Sequence, residues 1–151
     1  MTIVIVRQAI LSDLEALVPL FDGYRHFYGR PSDMCAARDF LLSRFNHGES
    51  ALFIAHEGNA PVGFAQLYPS FSSVSLSRTF VLNDLFVHEH ARRKGVAKKL
   101  MSAAVEFAGS LGAVRISLTT ATTNETAQAL YQSAGWKRDE QFFVYHFAIQ
   151  A

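Results

Sequence analysis

Residues 82–100 have the sequence LNDLFVHEHARRKGVAKKL, and they carry the strongest structural signal in the chain. Up to Val87 it is extended and largely apolar, and it then enters a basic turn that contains Gly95. Beyond the turn, apolar residues recur every three or four positions, at Val96, Leu100, Ala104, Phe107 and Leu111. That spacing is typical of an amphipathic helix. The stretch therefore predicts a strand, a glycine-containing turn and a helix.

The turn between this strand and this helix has the features of an anion-binding site. The first amides of a helix have no partner inside the helix, and they lie at the positive end of its dipole. Gly95 and Ala97 are small, so phosphate oxygens can approach the backbone closely. The alternative is a solvated basic helix start in which Gly95 serves only the turn geometry. Neither the P-loop pattern nor the three-glycine dinucleotide fingerprint is present.

Downstream of the turn, the pattern alternates between helix and strand. Gly112 is placed to end the helix, and alternate apolar residues over 114–118 then predict a strand. The unit from 80 to 119 is therefore expected to be a right-handed parallel crossover of strand, helix and strand. Asn124 is expected to cap a short helix that Gly135 ends.

Upstream of the turn, the chain predicts one strand and two helices. Residues 2–7 are mostly β-branched and predict a strand. Ser12 and Glu15 have capping-box spacing ahead of a helical pattern of apolar residues, and Pro19 is expected to bend that helix. A second helix is expected after Ser32.

Strands dominate the middle and the end of the chain. The Gly58-Asn59 pair predicts a hairpin between strands at 51–57 and 62–68, and a longer extended segment runs over about 75–87. At the end, Phe143, Tyr145, Phe147 and Ile149 alternate with other residues and predict a last strand. The sequence therefore predicts a mixed α/β chain.

Composition limits the class of protein. The chain has 151 residues, of which 50% are hydrophobic and 18% charged, and its formal net charge is +1. We expect one domain over 1–151 with its own core, located in the cytoplasm. Balanced charge argues against a general nucleic-acid or membrane-surface binder.

The single cysteine, Cys35, excludes an intramolecular disulfide and is expected to be a small buried residue. His88 and His90 are expected to be solvated loop residues, so no metal is predicted.

Four motifs follow one another at compatible spacing in the second half of the chain. They are the strand at 82–87, the turn at 92–97, Asn124 and the segment at 127–136. The turn fits the signature Arg/Gln-x-x-Gly-x-Gly/Ala, with alanine in its last position. Together these motifs resemble the GCN5-related N-acetyltransferases, the GNAT superfamily.

The resemblance implies a fold, a donor and a set of donor contacts. The implied fold is α/β (α+β), with helices flanking a mixed, mostly antiparallel sheet and a parallel, splayed strand pair at the donor site. The donor is acetyl-coenzyme A, whose pantetheine arm lies along Leu85, Phe86 and Val87. Asn124 and Ala127 belong to the helix that meets its pantetheine or acetyl end. The pyrophosphate lies on the turn formed by Arg92, Arg93, Lys94, Gly95, Val96, Ala97 and Lys98. Arg93 stands where many relatives have glycine.

Acetyl transfer to an amine also requires proton movements. An alkyl amine with a pKa of about 10.4 is neutral in roughly 1 molecule in 2,500 at pH 7, so the site must accept a proton. A backbone N–H near Phe86 or Val87 is the candidate oxyanion donor, because the strand is bulged in the family. Tyr131 is the candidate general acid. By spacing alone a tyrosine at its position is more often a core residue, and the resemblance favours the catalytic role.

The general base stays open at this point. The stretch at 82–87 is similar to the Leu-Glu-Asp-aromatic-aromatic-Val strand of polyamine acetyltransferases, and Asn83 replaces the glutamate. An amide cannot take a proton. Asp84 could act through a water molecule, or Asn83 could position one, or Asp84 could cap a bulge or pair with a basic side chain. An amine that arrives deprotonated would need no strong base.

The acceptor is expected to be a primary amine of a small molecule, such as an amino acid, a polyamine or an aminoalkyl compound. The candidate contacts are Tyr24, Tyr28 and Tyr68, whose rings could hold an amine by cation–π contact or could belong to the core or a dimer. Attack is expected to be direct, in a ternary complex. The alternatives are a protein lysine or N-terminal acetyltransferase and a non-catalytic coenzyme A sensor. The apolar stretch 142–149 predicts a homodimer.

Overall fold

The computed structural model describes residues 3–150. The chain divides into two compact units, one ending at Thr119 and the other beginning at Thr120. Thr2, the first residue of the first predicted strand, lies outside the described residues, and the strand itself is found as β1 (Val4–Gln8).

A mixed sheet forms the centre of the first unit. The five strands lie in the order of the chain, and only the last pair is parallel. After β1 they are β2 (Ala51–Glu57), β3 (Ala60–Ser72), β4 (Ser77–Val87) and β5 (Arg115–Ser117). The predicted hairpin and the predicted parallel crossover are both confirmed, because β3 follows β2 through Gly58-Asn59 and β4 pairs in parallel with β5.

Helices cover both faces of this sheet. They are α1 (Leu14–Phe27), α2 (Met34–His47) and α3 (Val96–Ser110). Phe64 of β3 packs edge to face on Phe21 of α1, with ring centroids 6.0 Å apart. A Cβ added to its neighbour Gly63 would lie 3.3 Å from Leu100 of α3. Since neighbouring residues of a strand point to opposite faces, α1 and α3 pack on opposite sides of the sheet.

The start of α1 differs from the prediction. The capping box of Ser12 and Glu15 is not formed, and a short 3-10 turn at Leu11–Asp13 precedes the helix. Asp13 accepts the N–H of Ile10 at 2.8 Å and is held by both guanidinium nitrogens of Arg7 at 2.7 Å. Asp13 stands at the N-cap position of α1, but its carboxylate is held by Arg7 and Ile10 and makes no cap hydrogen bond to the helix.

The splayed strand pair lies at the end of β4. The parallel pairing with β5 covers only Thr79–Val81, and beyond it no strand of the described chain pairs with this edge of β4. On the other edge, Gln66 pairs with Asp84 and Leu67 with Leu82, so Asn83 is the extra residue of a β-bulge. The expected bulge near Phe86 or Val87 is therefore found at Asn83. A free backbone edge and a bulged strand meet in one short segment of β4.

The second unit contains one helix, α4 (Glu125–Ser133). Asn124 caps it as predicted, since its Oδ1 accepts the N–H of Ala127 at 3.1 Å. The last predicted strand is wrong, because the chain after Gly135 has no helix or strand among the described residues. An extended segment needs a ladder partner for its backbone groups, and this one has none in the described chain. No helix in residues 3–150 has the length and apolar character needed to cross a bilayer.

Candidate active site

The turn that precedes α3 presents a row of free amides. Arg93 and Gly95 both adopt left-handed backbone conformations, with φ of 65° and 77°. Within residues 3–150, the backbone N–H groups of residues 93–98 donate to no carbonyl, and the first bond at this end is from Lys99 to Gly95, at 3.1 Å. Unpaired amides at a helix N-terminus suit an anion. Arg93 has the conformation that glycine adopts most easily, as expected from the family pattern.

The side chains of the turn divide into two groups. Arg92 donates from Nε to the carbonyl of Val87 at 3.0 Å, and its guanidinium lies 5.9 Å from the ring centroid of Phe86. Lys94 pairs with Glu57 at 3.2 Å. These contacts tie the turn to the sheet. The side chains of Arg93 and Lys98 are exposed and have no partner in the described part of the chain, so they are available to a bound anion.

The histidines ahead of the turn are exposed. His88 and His90 are exposed, and their Nδ1 atoms lie within hydrogen-bonding distance of each other. Among residues 3–150 there is no group of three or more His, Cys, Asp or Glu side chains placed to hold a metal ion. The predicted burial of Cys35, in contrast, is wrong, since Cys35 is exposed on α2.

Asp84 lies at the centre of a buried polar network. Its side chain is 2% exposed, Oδ2 accepts from Nε2 of Gln66 at 2.5 Å and Oδ1 accepts from Nδ2 of Asn83 at 2.8 Å. Gln66 in turn accepts from the hydroxyl of Ser50 at 2.7 Å. Burial raises the pKa of Asp84, although the hydrogen bonds oppose this shift. No basic side chain in the described chain forms an ion pair with it.

Two phenols face this carboxylate. Tyr24 donates its hydroxyl to the backbone carbonyl of Asn83 at 3.1 Å. Burial and the nearby charge of Asp84 raise the pKa of Tyr24, and the same causes raise the pKa of Tyr68 to about 12. Both phenols therefore stay protonated at neutral pH and act as hydrogen-bond donors rather than bases.

A cavity of about 420 Å³ brings these groups together in the first unit. It is lined by Phe21, Tyr24, Arg25, Ala36, Ala37, Phe40, Tyr68, Asn83 and Asp84. Four of the predicted site residues therefore share one cavity. Tyr28 does not line it, although its ring packs on that of Tyr24 with centroids 5.1 Å apart.

Sequence reasoning missed Gln66 and Arg25. Gln66 is fully buried in β3. The available signal was a polar residue in an otherwise apolar strand, since a buried polar side chain needs a partner. Arg25 gave no local signal, because one arginine in an amphipathic helix is usually on its solvent side.

The predicted site residues of the second unit lie on α4 and at its cap. The ring of Tyr131 is 6.4 Å from the ring of Trp136, measured between centroids, and Tyr131 is half-buried. Asn124 uses its Oδ1 for the helix cap, which leaves its amide nitrogen for another partner. Their catalytic and donor-binding roles stay predictions.

The fold, with a turn of free amides beside a splayed strand, is that of an acyltransferase. The acetyltransferase (GNAT) family model matches residues 17–136, so the chain belongs to this family. It is an N-acetyltransferase, and the family uses acetyl-coenzyme A as donor.

Individual relatives agree with this assignment. The chain is 45% identical over 146 residues to the uncharacterized N-acetyltransferase YhfO of Bacillus subtilis, covering 97% of this chain and 98% of that one. It is 38% identical over 96 residues to a probable acetyltransferase of Haemophilus influenzae, covering 63% and 66%. A crystal structure of a probable acetyltransferase, 42% identical, superposes with a TM-score of 0.92 over 97% of this chain and 99% of that one.

Proposed function

We propose that the acceptor is a primary amine of a small molecule, bound in the cavity beside Asp84. The observation that carries this proposal is a cavity of about 420 Å³ that combines aromatic walls with a buried carboxylate. Cavities of ~300–1,000 Å³ suit ligands of small-molecule size. Aromatic faces and a carboxylate both attract an alkylammonium group.

The donor is assigned to the turn and to the free edge of β4. The unpaired amides of residues 93–98 suit its pyrophosphate, and the side chains of Arg93 and Lys98 have no competing partner in the described chain. The edge of β4 at Leu85, Phe86 and Val87 pairs with no other strand of the described chain and offers backbone groups to an extended amide-containing arm, although Arg92 already bonds to the carbonyl of Val87. Asn124 and Ala127 are assigned to the donor by the family motif. Acetyl-coenzyme A, when bound, supplies the thioester that an amine attacks.

Asp84 is proposed as the general base. At pH 7 an ordinary alkylammonium must lose a proton before it can attack, and a carboxylate with a raised pKa accepts that proton more readily than an ordinary one. Asn83 and Gln66 hold the carboxylate by one hydrogen bond to each oxygen. Asn83 is therefore a positioning residue. The phenol of Tyr68 is proposed as a hydrogen-bond donor to the acceptor. Tyr24 gives its one O–H to the carbonyl of Asn83 and is proposed to contribute its ring to the wall of the cavity.

Tyr131 is proposed as the general acid, acting by direct transfer in a ternary complex. The substrate ammonium first loses one proton to Asp84, and the neutral amine then attacks the thioester. As the C–N bond forms and the C–S bond breaks, the nitrogen loses its second proton, which replaces the one that Tyr131 gives up. The phenol of Tyr131 gives its proton to the leaving sulfur. The backbone N–H of Val87 is proposed to stabilise the oxyanion. His88 donates its N–H to Val62 of β3, and neighbouring residues of a strand present their N–H groups to opposite edges, so that of Val87 faces the edge of β4 that pairs with no strand of the described chain.

Gly95→Ala is expected to weaken donor binding about tenfold, which corresponds to ~1.4 kcal/mol. The reason is the φ of 77° at Gly95, which alanine adopts at a cost of roughly 1–2 kcal/mol, so the turn leaves the conformation that points its amides outward. Isothermal titration of coenzyme A measures the effect.

Gly112→Ala is the matched control for this experiment. Gly112 has the same φ of 77°, lies just after α3 and, like Gly95, has nothing within 4 Å of an added Cβ. Both variants should lose similar stability, and only the Gly95 variant should lose donor affinity. Equal donor affinity in the two variants would remove the turn from the donor site.

The proposed function is tested by donor titration followed by thiol release. Acetyl-coenzyme A is titrated into the protein, and pooled amino acids, polyamines and aminoalkyl compounds are then added. Thiol release with one pool supports a small-molecule acceptor. Release with lysine-containing or N-terminal peptides, and with none of the pools, would establish a protein acceptor instead. Donor binding without release from any acceptor would favour the sensor.

We also propose a homodimer formed through residues 142–149. Phe143, Tyr145, Phe147 and Ile149 are 90, 91, 89 and 88% exposed. A contiguous apolar stretch of this kind marks an interface, and an extended segment gains its missing ladder partner from a second copy. Light scattering should give twice the mass of one chain at micromolar concentration, and the mass of one chain would contradict the dimer. The cytoplasmic location and the single domain over 1–151 stay predictions.

A further inference from the structure

We propose that the acceptor carries a carboxylate as well as its amine, and that Arg25 binds this carboxylate. The inference deepens the proposed function and rests on it. Arg25 lies on α1, is half-buried and lines the cavity that contains Asp84. Within residues 3–150 its guanidinium has no ion pair, side-chain hydrogen bond or ring contact. An arginine presents a planar fork of donors that matches a carboxylate.

Other half-buried arginines of the chain have partners. Arg44 pairs with Glu49 at 3.2 Å and lies 4.3 Å from the ring centroid of Phe40, and Arg78 lies 5.2 Å from that of Phe71. A charge that is partly removed from water without a partner lowers stability, and a bound anion offsets that loss. Arg25 therefore has the unused bonding capacity that an anionic ligand group would fill.

Asp22 is the acidic group nearest in the chain to Arg25, and it is already occupied. It accepts from the hydroxyl of Ser32 at 2.6 Å and from the N–H of Asp33 at 2.8 Å. These bonds, more than the charge of Arg25, lower the pKa of Asp22. No ion pair joins Asp22 to Arg25 in the described structure, so the guanidinium stays free for a ligand.

The other residues that line the cavity indicate which carboxylate-bearing amines fit it. A cation from Arg25 and an anion from Asp84 line the same cavity, which suits the two charges of an amino acid. The rings of Phe21 and Phe40 stack with centroids 5.6 Å apart, and alanines complete the apolar wall. The geometry therefore points to an amino acid with an aromatic or aliphatic side chain.

The test compares acceptors that differ only in the carboxylate. The pairs are phenylalanine with phenethylamine and leucine with 3-methylbutylamine, measured as kcat and KM at saturating acetyl-coenzyme A. Arg25→Gln should lower kcat/KM for the amino acids about 10- to 100-fold, mainly through KM, and leave the decarboxylated amines within twofold. The range follows from the ~1.5–3 kcal/mol of a charge-assisted hydrogen bond. Arg25→Lys, which keeps the charge, should recover part of the loss.

Arg30→Gln is the matched control, because Arg30 is exposed and does not line the cavity. It should leave kcat/KM unchanged for both members of each pair.

An equal loss of kcat/KM for both members in Arg25→Gln, or a loss for the amino acids alone in Arg30→Gln, would overturn the inference. If the wild-type enzyme acetylates an amino acid and its decarboxylated amine equally well, the inference is also overturned, and the proposed function stands. If no small amine is acetylated, both fail. Titration of phenylalanine into wild-type and variant proteins with coenzyme A present checks binding when turnover is low.

Discussion

Tyr131→Phe is expected to lower kcat by one to three orders of magnitude while the affinity for coenzyme A stays within twofold. The substitution removes one hydroxyl and keeps the ring, so its contact with Trp136 is preserved. A general acid contributes ~10²–10⁴-fold to a rate, and water can replace part of that contribution. Steady-state kinetics with a saturating acceptor and titration of coenzyme A measure the two quantities.

Tyr145→Phe provides the matched control for the removal of a phenol hydroxyl. Tyr145 is 91% exposed and lies outside the predicted catalytic residues, and the substitution keeps the ring that the proposed dimer stretch contributes. It should keep wild-type kcat, and both variants should melt within a few degrees of the wild type. Wild-type turnover in Tyr131→Phe would remove Tyr131 from the mechanism. A large loss of coenzyme A affinity would assign it to donor binding instead.

Asp84→Asn is expected to reduce kcat/KM for the amine by about 10²–10⁴-fold. The asparagine has nearly the same shape but accepts no proton, so the ammonium keeps its charge and cannot attack. The loss should be smaller for an amine of low pKa, because more of it is neutral before it binds. Asp39→Asn, an exposed carboxylate on α2, is the control and should leave kcat/KM unchanged.

The pH profile identifies the base independently of the size of the loss. Burial raises the pKa of Asp84, so its carboxylate is protonated, and the base lost, at a higher pH than for an ordinary aspartate. Activity should therefore fall with decreasing pH through a limb that lies above about pH 4. The limb should persist in Asp39→Asn and vanish in Asp84→Asn. An unchanged profile and rate in Asp84→Asn would show that the acceptor needs no carboxylate base.

Much of the fold follows from short-range patterns. The spacing of apolar residues predicted α3, and glycines predicted the hairpin and the ends of helices. These predictions were possible because such signals depend only on residues a few positions apart. The cap at Asn124 was predicted for the same reason and is confirmed. The capping box at Ser12 was wrong because the chain first forms a 3-10 turn over Leu11–Asp13, and bonds from Arg7 of β1 and from Ile10 to Asp13 hold that turn. The predicted strand at 143–149 was wrong because the alternation of apolar residues indicates which side chains share a face, but it does not supply another strand for the backbone to pair with.

The family and the position of the basic, glycine-containing turn could be predicted from the amino-acid sequence alone. Both follow from motifs whose residues are close in the chain, and a glycine at a left-handed turn before a helix is a local requirement. The candidate acceptor cavity, in contrast, forms only when elements that are distant in the chain pack together. It joins Arg25 of α1 to Asp84 of β4, and the bonds to Asp84 depend on the bulge at Asn83 and on Gln66 in the facing strand. Register and burial are properties of packed elements, so a carboxylate with a raised pKa and an unpaired arginine exist only after the sheet and helices have packed.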